Sequence, residues 1–472
     1  MKNKITLFLL LFICVCFGEG GSANAQNVNI PDVNFKTALI NNPSINTNAD
    51  AEIQVSEAAA FSGTITLTYW NISDLTGIEA FTALTKLDCS VNHLTNLNVS
   101  ANTALTVLIC NNNLITSLDV SSNTALTVLW CKVNQLTSLN LSANTALTFL
   151  SCYGNQLTSL DVSANTALTS LDCHLNQLTS LDVSSNTSLT DLYCIMNQFS
   201  SLDFSTNTAL TKLNCGMNRL SYLNVSNNMA LTELYCYHNQ LTSLDVANNT
   251  ALKYLCCGSN QLTGLDVSAN TDLIYFDCGT NQLTGLDVSA NTALTVLRCR
   301  ENQLLSLDLS GNTALTDLEC FNNKLTVMNV KNGNNTNFTW FIAYNNPNLM
   351  CIQVDNSAYS NSNWSTVKDA TAIYSENCTI TSIDSPSNDY EISIYPNPGN
   401  DIFTLKTNMP FDSKLKIEIV DITSQLVKSI NLPKFNEGGN SIEIDISELL
   451  NGIYFLKAYN NNFNQTLKVL KE

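Results

Sequence analysis

Between Leu84 and Asn346 the apolar positions fall in a frame that returns every 21 residues. Leucine or a near relative stands five and two places before a cysteine, and asparagine stands three places after it. The cysteines are Cys89, Cys110, Cys131, Cys152, Cys173, Cys194, Cys215, Cys236, Cys257, Cys278, Cys299 and Cys320. A short, strict period of this kind denotes a stack of similar coils rather than a compact domain with a pocket. In the coil Leu168–Ser188, Leu171 and Cys173 are two apart, so a strand turns both inward and turns Ser170, Asp172 and His174 outward. Asn176 leads the chain off the strand, with an amide able to bond the backbone of adjacent coils. Leu178, Leu181 and Val183 close the far side, and a second asparagine column, Asn102 to Asn312, marks the return turn.

Each coil then needs only its neighbours, which lets 472 residues fold without one large core. A buried leucine contributes about 2 kcal/mol once the next coil covers it. Twelve coils at about 4.8 Å make a stack roughly 58 Å long. Its ends require caps. Phe338, Phe341, Ala343 and Asn346 keep the spacing beyond an insertion at Asn332–Asn335, which predicts a degenerate thirteenth coil with alanine for cysteine.

One inward thiol per coil forms a line, whereas zinc requires four convergent ligands. Disulfides between adjacent parallel strands would strain the ladder. The twelve thiols therefore read as reduced packing groups. Cys351 and Cys378 flank the end cap, whose small core favours a disulfide between them in an exported chain. Cys256 occupies an outward position as a free thiol.

The pattern L-x-x-L-x-C-x-x-N-x-L, as in Leu168, Leu171, Cys173, Asn176 and Leu178, resembles the leucine-rich repeat. With its ladder it resembles the cysteine-ladder subfamily of bacterial leucine-rich repeat proteins, the internalin J type. That resemblance implies a surface protein used in adhesion or partner binding. After Cys378 the text turns strand-like, with alternation in 392–395, 403–405, 415–419, 442–444 and 453–455 that predicts a small antiparallel sandwich. Tyr395-Pro396-Asn397-Pro398, the segment from Ile444 to Tyr454, and Lys468-Val469-Leu470-Lys471 resemble the type A sorting domain of type IX secretion. This implies engagement of that machinery and a protein released from, or attached to, the outer cell surface.

The amino terminus predicts a signal peptide: Lys2 and Lys4, an apolar run from Ile5 to Phe17, and Ala23-Asn24-Ala25 before Gln26. That run is short for a membrane span, and no other stretch predicts one. Ile13 before Cys14 argues against a lipoprotein. The expected order is signal peptide 1–25, amino-terminal cap 26–80, twelve coils 81–335, degenerate repeat and cap 336–380, linker 381–389 and sorting module 390–472. A net charge of −18 without a basic stripe argues against nucleic acid.

The coils differ from one another mainly at the outward strand positions. Trp130, Phe149, Tyr153, Tyr193, Tyr235, Tyr237, Tyr254 and Tyr275 stand there, and Tyr193 to Tyr275 should lie over coils six to ten. Exposed aromatics on a sheet anchor interfaces, so these are the expected ligand-binding residues, for a protein first and a glycan second. Strand propensity and mutual stacking also place rings on sheets, and the rival reading is a structural surface component without a ligand. Asn46, Asn48, Asp50, Glu52 and Glu57 have the spacing of an EF-hand loop, which makes calcium a possible but not a required cofactor. A calcium-free helical turn that caps the first coil explains the same residues. An aspartate column from Asp119 to Asp308 reads as turn-capping. His93, His174 and His238 lie on separate coils, and inward Cys173 cannot meet outward His174, so no enzyme is expected.

Overall fold

The structure is a computed structural model that describes residues 26–378, 392–395, 401–407, 415–421, 425–432, 441–460 and 463–471. The expected signal peptide, the linker and Pro396–Pro398 lie outside the described residues. The chain forms two compact units, Met1–Cys378 and Thr379–Glu472.

In the first unit, helix α1 (Val33–Ile40) begins at Asp32, whose Oδ1 accepts from the Asn34 and Phe35 N–H groups at 3.0 Å. Its Oδ2 accepts from Ser73 N at 2.9 Å and so ties the helix to the first coil. Helix α2 (Val55–Ala60) starts with a capping box between Gln54 and Glu57. Phe35, Leu39, Ile45 and Ile53 are fully buried beneath these helices and join the solenoid core.

Fourteen three-residue strands form one parallel sheet, stacked in chain order from Thr64–Thr66 to Trp340–Ile342. Leu171 pairs in register with Leu150 and Leu192, and all twelve ladder cysteines are buried and free. The ribbon starts earlier than the cysteine frame predicts. Thr64–Thr66 pairs with Lys86–Asp88, Ile65 takes the place of Leu87, and Leu67 stands where the thiol would be. Leucine in that place hid the coil, because its inward residues kept their direction but lost the marker.

The two asparagine columns hold the coils in different ways. Asn176 Nδ2 donates to the carbonyls of Cys152 and Cys173, both at 3.1 Å, while its Oδ1 accepts from Leu157 N at 3.0 Å. One side chain thus pairs the Leu157 N–H and shares the two carbonyls with Asn155 and Asn197, which links successive coils. In the second column Asn165 Nδ2 donates to Leu141 O at 3.1 Å and Asn144 O at 2.8 Å. There Oδ1 is buried without a protein hydrogen bond, and this recurs on all eleven residues from Asn102 to Asn312.

At the carboxyl-terminal end a second parallel sheet forms on the far wall from Ser306–Asp308, Val327–Asn329, Cys351–Gln353 and Ile373–Ser375. Helix α3 (Ser357–Asn363) leads into Trp364, which stacks on Phe341 at 4.5 Å and closes the last coil. A Cys351–Cys378 disulfide joins this cap.

The second unit has a three-stranded antiparallel sheet (Ile392–Tyr395, Ile402–Thr407, Ser441–Asp445). Its four-stranded sheet runs in the order Leu426–Leu432, Leu415–Asp421, Gly452–Asn460, Phe463–Lys471. Phe403, Leu405, Ile417, Ile444 and Leu456 share its core. Lys471 is buried, and its ammonium donates to the carbonyls of Ile446, Ser447 and Leu449 at 2.9, 3.0 and 2.7 Å. Asp401 lies 3.2 Å away. A buried charge needs such partners, which explains why the closing lysine and the Ile444–Tyr454 segment occur together.

Candidate functional site

The outward positions of the ribbon form four columns: two on the strand and two where the chain leaves it. Trp130, Phe149 and Tyr254 are the most open of the expected residues, at 37%, 46% and 38% exposure. Tyr153, Tyr193, Tyr235, Tyr237 and Tyr275 are half-buried. The structure brings Tyr254 and Tyr275 together, with stacked rings 6.4 Å apart. It does not bring Tyr193 against Tyr235, because both pair in register with Asn214 between them. Tyr237 lies over Gly216, where an added Cβ would meet the ring at 3.0 Å. The rings of coils six to ten therefore form rows along the ribbon.

Charge fixes one end of these rows. Arg298 Nη1 donates to Tyr275 Oη at 2.9 Å, and Arg300 lies 3.2 Å from Glu319 and 3.4 Å from Asp277. Burial, with Cys256 and Asp277 close by, pushes the Tyr275 phenol up to about 12. Cys256 sits on the same face as a free, half-buried thiol, pushed up to about 12 by burial and then by Asp277. The ladder thiols are raised by burial too, to about 12 for Cys215 and Cys299. Cys173 is fully buried while His174 faces out, its Nδ1 2.5 Å from Asp172 Oδ1. Thiol and imidazole do not meet.

One group on the ribbon was missed at the sequence level, and one apolar row there follows from the repeat frame. Trp340 and Tyr344 are exposed on the thirteenth coil, with Tyr344 stacked on Phe321 at 5.1 Å. The frame reveals them once it is carried past Ala343, across the insertion. Leu175, Met196 and Met217 form an exposed apolar row on consecutive coils, each at φ near +55°. Their position two places after the cysteine is fixed by the left-handed turn that ends every strand.

In the amino-terminal loop Glu57 Oε1 accepts from Thr47 N, Thr47 Oγ1 and Asn48 N at 2.7, 2.8 and 3.2 Å, and Oε2 accepts from Gln54 N at 3.0 Å. Burial opposes its ionisation, but these hydrogen bonds outweigh it and lower the pKa. Asn48 and Asp50 meet each other and Gln54, while Glu52 pairs with Lys36 at 2.7 Å. Asn46 Nδ2 donates to Asp50 O, and its Oδ1 is the buried oxygen of the set without a partner. Calcium takes about six to eight oxygens, including both of a twelfth-position carboxylate. Here both oxygens of Glu57 already hold the loop closed. Among the described residues no group of three or more His, Cys, Asp and Glu is gathered for a metal.

The aspartate column caps turns. Asp182 Oδ1 accepts from Ser184 N at 2.9 Å, and Asn98, Asn140 and Asn224 do the same on their coils.

Comparison with known proteins places both units. Residues 393–472 match the model of the secretion system C-terminal sorting domain. This segment is a type IX sorting domain. The sorting domain makes the protein one that is secreted or attached to the outer surface. The solenoid is similar to the functional domain of InlJ from Listeria monocytogenes, described as including a cysteine ladder. The two are 29% identical over 95% of this chain and 98% of that one, with a TM-score of 0.65. An internalin, inlF, also from Listeria monocytogenes, shares the fold at 22% identity over 67% of this chain and 96% of its own, with a TM-score of 0.59. No curated protein matches the chain. Among the described residues no helix is long and apolar enough to cross a membrane.

Proposed function

We propose that this chain is a non-catalytic adhesin that recognises a protein partner through the outward columns of its ribbon. One observation carries the reading. Interior and far-wall positions repeat with few changes from coil to coil, Tyr222 and Met229 among them, whereas the ribbon varies in every coil and carries a series of exposed rings. Packing would select the same residues in every coil, so variation concentrated on one face supports contact with something that does not repeat. The internalin-like fold and the sorting domain support display outside the cell.

The test replaces Tyr193, Tyr254 and Tyr275 together by alanine and measures attachment of protein-coated beads to protease-treated and untreated cells. Truncating interface anchors should weaken attachment by about tenfold or more, with thermal stability nearly unchanged. Protease treatment should remove the target. Attachment that ignores both changes would leave a structural surface component, and loss on deglycosylation instead would favour a glycan.

A further inference from the structure

The amino-terminal third of the ribbon carries a different arrangement from the tyrosine rows. Lys132 Nζ lies 4.4 Å from the centre of the Trp130 ring and 5.5 Å from that of Tyr153. Tyr153 in turn stacks on His174, with centroids 4.1 Å apart and planes 12° from parallel. His174 is held by Asp172 at Nδ1, and Asp172 by Ser151 Oγ at 2.8 Å. These bonds fix the flat pair from beneath. Phe149 stands open beside it, in register with Val128.

Two polar groups of this platform have no ion-pair or hydrogen-bond partner among the described residues. The Lys132 ammonium has no carboxylate within ion-pair distance among the described residues, although the chain carries 39 acids against 21 bases. Asn111 Oδ1 accepts from Lys132 N at 2.9 Å, while no acceptor among the described residues takes its Nδ2. Gly154 stands in the left-handed column between Val133 and Leu175, where an added Cβ would meet Val133 Cγ2 at 3.2 Å.

We propose that Trp130, Lys132, Tyr153 and Asn111 form a subsite for an acidic saccharide, a sugar ring that bears a carboxylate. Flat rings accept the C–H face of a pyranose, as they accept other apolar faces. The ammonium supplies a charge-assisted bond to the carboxylate, and the free amide N–H a bond to a hydroxyl. An acidic peptide would use the lysine but leave the ring surface without a flat partner. This goes beyond the protein contact proposed above and stands or falls separately, because it uses other residues on other coils.

The secreted protein is titrated with a galacturonic acid trisaccharide, its methyl-esterified form and a tri-glutamate peptide, followed by tryptophan fluorescence and by calorimetry. The acid should bind about tenfold more tightly than the ester, the size expected for one charge-assisted bond. Lys132→Gln should bring the acid down to the level of the ester, Lys132→Arg should retain the preference, and Trp130→Ala should weaken both. Absence of binding by either saccharide, a preference that survives Lys132→Gln, or equal binding of the peptide would each overturn the subsite.

Discussion

The ribbon and the wall behind it share one period and obey opposite rules. Behind the sheet, each position admits few residues, because every group there faces the equivalent position of the next coil. Asn113, Asn134 and Asn155 each bond the backbone of the coil before them in the same way. On the ribbon, neighbours one coil apart can be Tyr153 and His174, or Gly216 and Tyr237, without disturbing the register. The difference teaches that repetition in this protein measures packing, and its failure measures freedom from packing.

The strongest challenge to that contrast is a substitution inside the wall. Asn176→Ala would strand the Leu157 N–H and remove one of the two asparagine bonds on each of the Cys152 and Cys173 carbonyls, which keep Asn155 and Asn197. At about 1–3 kcal/mol for one unmet buried group, a loss of roughly 2 kcal/mol is expected in urea unfolding. A cost as small as that of the ribbon change Asn214→Ala would dissolve the distinction. Next comes thiol access. Brief alkylation of the folded protein should leave the twelve ladder thiols unmodified and touch Cys256 slowly at most, whereas denaturant should open all thirteen free cysteines of the described residues. Rapid labelling of a dozen would reverse the inward and outward faces.

Smaller effects sharpen the edges of the comparison. Asp119, Asp161, Asp182, Asp203, Asp266 and Asp287 are depressed by hydrogen bonds from the serine two residues on. Their stabilisation is therefore present above the ordinary carboxylate value of about 4 and is lost as pH falls through the lower folded values. Asp182→Asn should flatten that acid loss slightly and change little at neutral pH, since asparagine already caps four other coils, at Asn98, Asn140, Asn224 and Asn329. Urea midpoints taken between about pH 5 and pH 2 measure it. The smallest response is expected at the amino-terminal loop. Calcium would have to displace the four hydrogen bonds on Glu57, so chelator should leave the melting temperature where it was. A rise of several degrees on adding calcium would restore the ion to that loop.

Much of this molecule could be read before its structure, and the reason is the same repetition. A residue that meets its own copy carries its environment in its spacing, so the inward direction of Cys173 and the bridging role of Asn176 followed from the frame. The coil at Thr64–Thr66 did not, since Leu67 replaces the marker. Neither did the second sheet behind Ser306, where far-wall segments straighten enough to pair. On the ribbon the sequence named the residues but not their posture. Whether a ring lies flat, as Tyr237 does on Gly216, or meets a cation, as Tyr275 meets Arg298, depends on the outward residue of another coil.

The asparagine ladder also bears on how such a molecule can change over generations. Every coil offers the same carbonyls and N–H groups above and below, so a 21-residue unit can be duplicated or deleted with both junctions remaining compatible. Reach would then grow or shrink in steps of about 4.8 Å. Each added unit would bring its own unclaimed outward side chains, giving the lineage a longer hand without redesign of the arm.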